Sequence, residues 1–354
     1  MKEKIAVAMS GGVDSSFVAW LLKEKGYDIE GFTLKISDES DFKKSCCSNE
    51  SLIRASKICE KLKIPHTVLH ITTFFKKEVI DPFLRAYSSG LTPNPCIMCN
   101  SSVKFGYLLE RVLDLGFARL ATGHYARIKK ISENRLSLFR ARDLKKDQTY
   151  FLAGLTQNQL KKLLFPLGDF TKDKVIQKIK ELDIFPFFSG ESQDICFLGK
   201  EKKLKDFLKK NILYDKIQPG NFVDSEGKIL GRHEGIAFYT VGQRKGLGIS
   251  STQPLYVKRI NPERNEIILG KKGELLSRIF FVKNINFPSD RIESGFMKVS
   301  IRYKFKPVLC RLILLKDKRA KVELIGSRIE IPAGQWAVFY RNNRLVAGGE
   351  IEMP

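Results

Sequence analysis

The sequence predicts an α/β domain with a parallel sheet over residues 1–200, a small central β-rich domain over 201–276 and a C-terminal β-barrel over 277–354. Its 354 residues exceed what one hydrophobic core usually serves. Near the N-terminus, apolar runs of strand length alternate with amphipathic stretches of helical length. Beyond residue 200, glycine-marked turns separate short runs rich in Ile, Val, Phe and Tyr, as is typical of sheets and barrels. The Lys-rich stretch 200–210 marks the boundary between the two patterns.

Strands and helices alternate regularly in the first domain. We predict strands at Lys4–Met9, Ile29–Ile36, Thr67–Ile71 and Leu120–Tyr125. We predict helices at Ser15–Lys25, Ser51–Lys63, Val79–Tyr87 and from Val103 onward. A hairpin over Ala126–Arg142 and two Lys-rich helices extend the domain. Such alternation predicts a parallel sheet covered on both faces, with ligands bound at the carboxyl ends of its strands.

The charge of the chain favours a polyanionic partner. There are 62 Lys and Arg residues against 39 Asp and Glu, a net charge of +23. Such a field attracts nucleic acid, although a solvated Lys-rich surface without that partner gives the same count. No apolar run reaches the ~18 residues of a membrane helix, and the stretch Ile5–Met9 is too short for a signal-peptide core. We therefore expect a cytoplasmic protein that does not bind membranes.

A phosphate-binding loop is predicted between the first strand and the first helix. Gly11 and Gly12 allow a tight turn whose N–H groups point inward, and Ser15 and Ser16 lie at the helix N-terminus, where an anion is stabilised. The loop lacks the Lys-Ser/Thr ending of a Walker motif, which disfavours a kinase or GTPase. A plain Gly-Gly turn before a helix is the structural alternative.

This segment resembles the PP-loop of the ATP pyrophosphatases, which split ATP into AMP and pyrophosphate and adenylate a carbonyl or carboxylate oxygen. The resemblance implies an adenine-nucleotide α-hydrolase-like fold. It implies that eight residues hold the triphosphate: Ala8, Met9, Ser10, Gly11, Gly12, Val13, Asp14 and Ser15. Leu34 and Gly123 would flank the nucleotide. Asp14 is a candidate to orient Mg²⁺ or a phosphate-binding group, with a helix N-cap as the alternative role.

Seven cysteines, an odd number, argue against a structural disulfide framework. Cys59 and Cys310 lie among apolar residues and are expected to be inert. Cys96 and Cys99 form a C-x-x-C that is open to redox, zinc, iron–sulfur or coincidental interpretations. Pro93 and Pro95 are expected to keep this stretch out of a helix until after Cys99, which places that thiol just before a helix N-terminus, where its pKa falls.

The chain as a whole resembles the tRNA-specific 2-thiouridylases. The resemblance is carried by the following segments: 10–16, Cys46-Cys47-Ser48, 81–83, 92–100, 104–106, 121–127, 146–152, Ser192-Gln193-Asp194-Ile195-Cys196-Phe197, 231–235, 239–248, 334–335 and 337–340. It implies that Cys196 receives sulfur as a persulfide from a donor protein, a cysteine desulfurase or a relay protein. Cys99 would be the second catalytic thiol, able to form a disulfide with Cys196.

The same resemblance implies the RNA contacts. The target base would meet Asn94, Pro95 and Cys96. The rest of the tRNA would be contacted by a larger set: His124, Lys146, Asp147, Gln148, Arg302, Tyr303 and Gln335. The C-terminal domain, residues 277–354, has 15 Lys and Arg against 7 Asp and Glu, which suits this role. An exposed strand with ordinary alternation is the structural alternative for Tyr303 and its neighbours.

Cys96 departs from the pattern of many members of that family, which carry Asp at this position with an assigned acid–base role. Cysteine accepts protons less readily at neutral pH, so the role does not transfer directly. The substitution also creates a trio, Cys96, Cys99 and Cys196, like the thiols that hold a [4Fe–4S] cluster in other tRNA-thiolating enzymes. A cluster that carries the sulfur is therefore an alternative to the persulfide.

The resemblance leads us to expect ATP- and Mg²⁺-dependent 2-thiolation of the wobble uridine of tRNA. A PP-loop ligase acting on a small molecule is one competing hypothesis, and it needs no paired thiols. A non-enzymatic RNA-binding or cluster-carrier protein with an inactive loop is the other. The loop at Gly242–Gly248 is either a simple turn or a mobile element that closes over the site.

Overall fold

The computed structural model describes residues 3–36, 49–182, 195–198, 204–212, 217–290 and 292–352. Cys46, Cys47 and the segment Ser192–Asp194 lie outside the described residues. The strands, in chain order, are β1 (Lys4–Ala8), β2 (Asp28–Lys35), β3 (His66–His70), β4 (Arg119–Ala121), β5 (Ala126–Ser132), β6 (Arg135–Arg140), β7 (Leu163–Leu164), β8 (Gly220–Val223), β9 (Ile229–His233), β10 (Tyr256–Asn261), β11 (Glu266–Gly270), β12 (Leu276–Ser277), β13 (Ile279–Asn286), β14 (Gly295–Ser300), β15 (Val308–Leu314), β16 (Ala320–Leu324), β17 (Ile329–Glu330), β18 (Trp336–Arg341) and β19 (Arg344–Ile351).

The helices belong mainly to the N-terminal domain. In chain order they are α1 (Val13–Glu24), α2 (Asn49–Lys61), α3 (Thr72–Phe75), a π-helical segment (Lys76–Ile80), α4 (Asp81–Ser88), α5 (Pro95–Met98), a second π-helical segment (Cys99–Leu108), α6 (Leu109–Asp114), α7 (Gln157–Leu160), α8 (Lys172–Glu181) and α9 (Leu204–Asn211). Short 3₁₀ turns lie at Thr149–Leu152, Pro166–Asp169, Cys196–Leu198, Ile236–Phe238 and Lys272–Leu275. No helix in these ranges is both long and apolar enough to cross a membrane.

The first sheet is parallel and has the strand order β3-β2-β1-β4-β7. Successive side chains of a strand point to opposite faces of the sheet, and β1 has buried side chains on both faces. Ile5 and Val7 pack in the core formed with α1, α2 and α8, while Ala6 packs in the core formed with α3 to α6. The predicted parallel sheet with two covered faces is confirmed. The carboxyl ends of β2, β1 and β4 lie side by side, so the segments that follow them meet at one edge.

The helix that carries Cys96 and Cys99 starts earlier than predicted. It begins at Pro95, so the expectation that the prolines hold the chain extended until after Cys99 is wrong. Proline suits the first helical position, because its missing N–H would have no partner there and its φ is already helical. Asn94 supplies the N-cap, since its side-chain oxygen accepts a hydrogen bond from the Ile97 N–H at 3.2 Å.

The C-terminal domain is a closed antiparallel barrel of six strands in the order β13-β16-β15-β14-β18-β19, with β19 pairing back to β13. The hairpin β5–β6 is confirmed, but it also joins this sheet, where Arg344 of β19 pairs with Phe139. The segment 301–307, with Tyr303, forms a turn between β14 and β15, so the exposed-strand interpretation is wrong. Lys304 has a φ of +62° in this turn.

The central domain is a four-stranded sheet in the order β10-β11-β8-β9 around Phe222 and Ile267. It is joined to α9 by Glu234, whose carboxylate lies 2.8 Å from the Lys205 amine and 2.9 Å from the Lys209 amine. Hydrogen bonds from these two lysines lower the pKa of Glu234 to about 2. The sheet thereby connects to the helix that follows the Cys196 segment in the chain.

Candidate active site

The loop after β1 is held in shape by hydrogen bonds from its own serine side chains. The Ser15 hydroxyl lies 3.2 Å from the Ser10 N–H and donates to the Gly12 carbonyl at 3.0 Å, and the Ser16 hydroxyl donates to the same carbonyl at 2.8 Å. Gly12 occupies the N-cap position of α1 without a side-chain cap. The first N–H groups of a helix have no partners within the helix, so this turn has the backbone geometry that an anion site requires.

Gly11 is required at its position for two reasons. Its φ of +66° is in the left-handed region, and an added Cβ would lie 2.4 Å from the Ser51 carbonyl oxygen and 2.9 Å from Cβ of Arg54. Both neighbours belong to α2, so the loop can approach that helix only with glycine. This contact is a structural reason for glycine, so it does not decide between a phosphate-binding loop and the plain-turn alternative.

Asp14 is not the N-cap of α1, since Gly12 holds that position. The Asp14 carboxylate lies 2.8 and 2.7 Å from the amine of Lys172, and it accepts a hydrogen bond from the Tyr125 hydroxyl at 2.8 Å. Lys172 begins α8, far away in the sequence, and its side chain is 10% exposed. Sequence reasoning missed this lysine, because nothing in a Lys-rich amphipathic helix distinguishes a buried lysine from its exposed neighbours.

Gly123 and Leu34 both lie at the carboxyl edge of the sheet, although β4 ends at Ala121 and not at Tyr125 as predicted, which leaves Gly123 in the turn after the strand. An added Cβ on Gly123 would be 3.0 Å from Cβ of Asp14 and 3.2 Å from the Ser15 nitrogen, so the turn after β4 lies directly against the start of α1. Leu34 is buried near the end of β2. The loop, the turn at Gly123 and the end of β2 therefore share one edge.

Cys96 and Cys99 are half-buried and lie at the second and fifth positions of the helix that starts at Pro95. Cys99 begins a π-helical segment, a feature frequent at functional sites. The next residue, Asn100, is buried and donates to the Phe151 carbonyl at 3.1 Å. This bond ties the cysteine helix to the segment 146–152 and is a positioning contact that the sequence did not indicate.

Cys196 is held near the same core by its neighbour. Phe197 is buried, with ring centroids 5.1 Å from Phe83 of α4, 6.0 Å from Phe75 of α3 and 5.5 Å from Phe207 of α9. Cys196 and Cys99 are both half-buried and pack against this one apolar core. By contrast, Cys59 and Cys310 are fully buried, and burial raises the pKa of each thiol to about 12, as expected of inert thiols.

The three cysteines do not form a metal-ligand group. Among the described residues, which include Cys96, Cys99 and Cys196, no three His, Cys, Asp or Glu side chains are arranged to hold a metal ion. The cluster alternative therefore stays a prediction without support from this arrangement, and we derive no step through a cluster.

A turn of the C-terminal barrel holds the segment before the cysteine helix. The Thr92 N–H donates to the Ala333 carbonyl at 2.9 Å, and the Gln335 amide lies 3.4 Å from that of Asn94. Gly334, with a φ of +86°, lies so close that an added Cβ would be 2.8 Å from the Thr92 nitrogen. The hydroxyl of Tyr150, a buried residue of the segment 146–152, donates to the Trp336 carbonyl at 2.9 Å.

The residues predicted to contact tRNA differ in accessibility. Arg302 is exposed, and Tyr303 is half-buried with its ring 4.4 Å from Phe151. His124 is buried and bonded to the Thr122 hydroxyl at 2.7 Å. Asp147 is also buried, and its carboxylate accepts hydrogen bonds from Arg140 at 2.9 Å and from the Ala141 N–H at 3.0 Å. Asp147 thus has an internal structural role; Lys146, Gln148 and Gln335 are each half-buried.

Comparison with known proteins identifies the family. Three family models match in succession: the tRNA methyl transferase HUP domain over residues 3–200, the tRNA methyl transferase PRC-barrel domain over 205–271 and the aminomethyltransferase beta-barrel domain over 277–351. A tRNA-specific 2-thiouridylase MnmA of Clostridium botulinum (strain Alaska E43) is 41% identical over 99% of this chain and 98% of its own. The chain belongs to the tRNA-specific 2-thiouridylase family. The MnmA of Clostridium kluyveri is 41% identical, covering 99% of this chain and 100% of its own, and that of Clostridium perfringens (strain 13) is 40% identical, covering 99% of each.

Membership in the 2-thiouridylase family confirms the resemblance found in the sequence. It also agrees with the order of a parallel α/β domain, a β-rich middle and a barrel. The individual roles of Cys96, Cys99 and Cys196 stay predictions.

Proposed function

We propose that this protein catalyses the ATP-dependent 2-thiolation of the wobble uridine of tRNA. The observation that carries the proposal is the match to 2-thiouridylases over 99% of the chain, which includes the phosphate loop, the cysteine helix and the barrel. The geometry supports it, because the loop lies at the carboxyl edge of the sheet and the two candidate thiols pack against one of its two cores.

The first step is activation of the uridine C2 oxygen, a poor leaving group. This oxygen attacks the α-phosphorus of ATP, the bond to pyrophosphate breaks, and the base becomes an adenylate. The turn at Gly11 and Gly12, with Ser10 and Ser15, holds the phosphates through backbone N–H groups and hydroxyls. Mg²⁺ would neutralise part of the triphosphate charge.

The second step delivers sulfur. A donor protein leaves a persulfide on Cys196, whose terminal sulfur attacks C2 and displaces AMP. The Cys99 thiolate then attacks the inner sulfur of Cys196, so the terminal sulfur stays on the base and a Cys99–Cys196 disulfide forms. A thiol reductant returns both cysteines to the thiol state. The C2 oxygen leaves with AMP, and the base keeps the terminal sulfur in its place. That sulfur is reduced while the two cysteine thiols are oxidised to the disulfide.

The anticodon loop suits this chemistry, because a single-stranded base can be turned out of its stack at modest cost. Asn94, at the N-cap beside Cys96, is our candidate for base contact. Arg302 and Tyr303, on the turn between β14 and β15, are our candidates for holding the RNA backbone. The buried positions of His124 and Asp147 favour an indirect contribution that fixes the shape of the RNA-facing segments.

Nucleoside mass spectrometry tests the proposal. Unmodified tRNA is incubated with the pure protein, ATP, Mg²⁺ and a persulfide donor, using metal-free protein and anaerobically iron–sulfur-reconstituted protein in parallel. We expect 2-thiouridine from both samples and none from Cys99→Ser or Cys196→Ser. Thiolation by the reconstituted sample alone would contradict the persulfide route. AMP formation without any thiolated uridine would contradict tRNA thiolation and favour a PP-loop ligase with another substrate.

A further inference from the structure

The helix that carries Cys99 changes its hydrogen-bond register at that residue. Pro95–Met98 is α-helical, Cys99–Leu108 is π-helical, and α6 continues from Leu109. In a π-helix each N–H bonds to the carbonyl five residues earlier, one more than in an α-helix, and long π-helical runs are rare. An α-helix turns by about 100° per residue. A change of register by one residue would therefore rotate Cys99 about the helix axis relative to α6.

Residues within the π-helical segment favour this register. The Ser101 hydroxyl donates to the Ile97 carbonyl at 2.9 Å and to the Met98 carbonyl at 3.2 Å, at the junction between the α and π parts. A serine that bonds back to the preceding turn in this way often bends a helix. Gly106 lies so close to the same residue that an added Cβ would be 3.1 Å from the Ser101 carbonyl oxygen. The segment is thus built around a close contact that glycine allows.

Gln159 bonds to this segment from outside the helix. Its amide nitrogen donates to the Phe105 carbonyl at 2.7 Å and lies 3.5 Å from the Ser101 carbonyl oxygen. Its amide oxygen accepts a hydrogen bond from the Thr156 N–H at 2.9 Å, as part of the capping box at the start of α7. One side chain therefore joins the first turn of α7 to backbone carbonyls of the π-helical segment. A change of register would move these carbonyls and break the bonds.

The chain just before α7 lies against the same helix and is anchored to the barrel. An added Cβ on Gly154 would be 3.3 Å from Cβ of Ser101. The Asn286 side chain, at the end of β13, donates to the carbonyls of both neighbours of Gly154 at 2.8 Å each. Segment 151–159 is therefore fixed on one side by the barrel, and Gln159 transmits that fixed position to the π-helical segment.

We propose that Gln159 is a positioning residue for Cys99, because its hydrogen bond to Phe105 holds the π register that sets the position of the Cys99 thiol. The inference rests on the proposed function in taking Cys99 as the second catalytic thiol. A misplacement of about 1 Å can reduce a rate by about 100-fold. The bond therefore affects the step in which Cys99 attacks Cys196, and it leaves the binding of ATP and tRNA unchanged.

Gln159→Glu in the full chain tests this proposal. The substitution removes the donor to Phe105 but keeps an acceptor for the Thr156 N–H, as Glu does in a capping box. Gln157→Glu is the matched control on the same helix. The Gln157 amide nitrogen donates to the Leu136 and Pro288 carbonyls at 3.0 Å each, so the same exchange there removes bonds to the hairpin and the barrel. Thermal unfolding checks that both variants fold.

Two rates are compared between the variants. In single-turnover thiolation with saturating ATP and tRNA, Gln159→Glu should react about tenfold or more slowly than Gln157→Glu, with unchanged affinities for both ligands. Formation of the Cys99–Cys196 disulfide by the thiol oxidant diamide, without ATP or RNA, should slow by a similar factor in peptide mass spectrometry. The rate of Gln159→Glu relative to the unmodified protein should recover as the pH falls toward about 5, since a protonated Glu again donates a hydrogen bond.

The outcomes separate this inference from the proposed function. Equal slowing in Gln159→Glu and Gln157→Glu would mean a general loss of stability and would overturn the inference. Unchanged disulfide formation in Gln159→Glu would overturn it as well. If Gln159→Glu slows disulfide formation but the unmodified protein makes no 2-thiouridine, the positioning of Cys99 is supported and the proposed function is contradicted.

Discussion

Replacing Gly334 with Ala tests whether the barrel positions the cysteine helix. Gly334 has a φ of +86°, and an alanine Cβ would lie 2.8 Å from the Thr92 nitrogen and 2.9 Å from Cβ of Leu91. The left-handed backbone costs alanine about 1–2 kcal/mol. Relieving the contact moves Thr92 and weakens its 2.9 Å hydrogen bond to Ala333, at a further cost of ~0.5–1.5 kcal/mol.

Gly326→Ala is the matched control. Gly326 belongs to the same barrel and has a φ of +69°, but an added Cβ would meet nothing within 4 Å. In both variants, alanine lowers the conformational entropy of the unfolded chain by the same amount. The difference in stability between the two variants therefore isolates the contact with Thr92. We expect Gly334→Ala to unfold at a lower urea concentration than Gly326→Ala.

The functional effect should exceed the effect on stability. Thr92 lies two residues before the N-cap Asn94, so its displacement shifts the start of the helix that carries Cys99. A misplacement of ~1 Å can reduce a rate by about 100-fold. In single-turnover thiolation with saturating ATP and tRNA, we expect Gly334→Ala to react about tenfold or more slowly than Gly326→Ala. Equal rates in the two variants would refute the idea that the barrel positions this helix.

Three further predictions address other parts of the molecule. Gly11→Ala should abolish measurable ATP binding in calorimetry, because its Cβ would clash with α2, whereas Gly227→Ala, at an open glycine with φ of +89°, should bind normally. In native protein at pH 8, iodoacetamide should leave Cys59 and Cys310 unmodified by peptide mass spectrometry, since burial raises the pKa of each thiol to about 12. Glu234 has a pKa lowered from 4.5 to about 2, so its ion pairs stabilise the fold above pH 4.5 and are lost as the pH falls toward 2. The difference in thermal stability between the unmodified protein and Glu234→Gln should shrink across that window, and a constant difference would contradict this assignment.

The fold could be predicted wherever the residues within one strand, turn or helix are enough to specify that element. Apolar strands such as Lys4–Ala8, followed by a glycine turn and an amphipathic helix, specify a parallel sheet and place the phosphate loop at its edge. The prediction is wrong at Pro95, because the local pattern treats this proline as a helix breaker. The outcome there depended on the Asn94 cap, which makes the same residue a helix initiator.

Long-range contacts explain what else the sequence could not reveal. The pairing of Phe139 with Arg344 joins a hairpin of the first domain to the last strand of the barrel. The Lys172–Asp14 pair spans 158 positions, and no local pattern distinguishes that lysine from Lys174. Both features depend on how distant segments pack, so only the three-dimensional structure reveals them.

The fate of the uridine C2 oxygen tests the central claim most directly. A tRNA labelled with ¹⁸O at C2 of the wobble uridine would be thiolated in a single turnover, and the AMP released would be examined by mass spectrometry. If the C2 oxygen is adenylated and then displaced by sulfur, the label appears in the phosphate of AMP in proportion to the 2-thiouridine formed. Unlabelled AMP alongside 2-thiouridine would contradict adenylation of that oxygen.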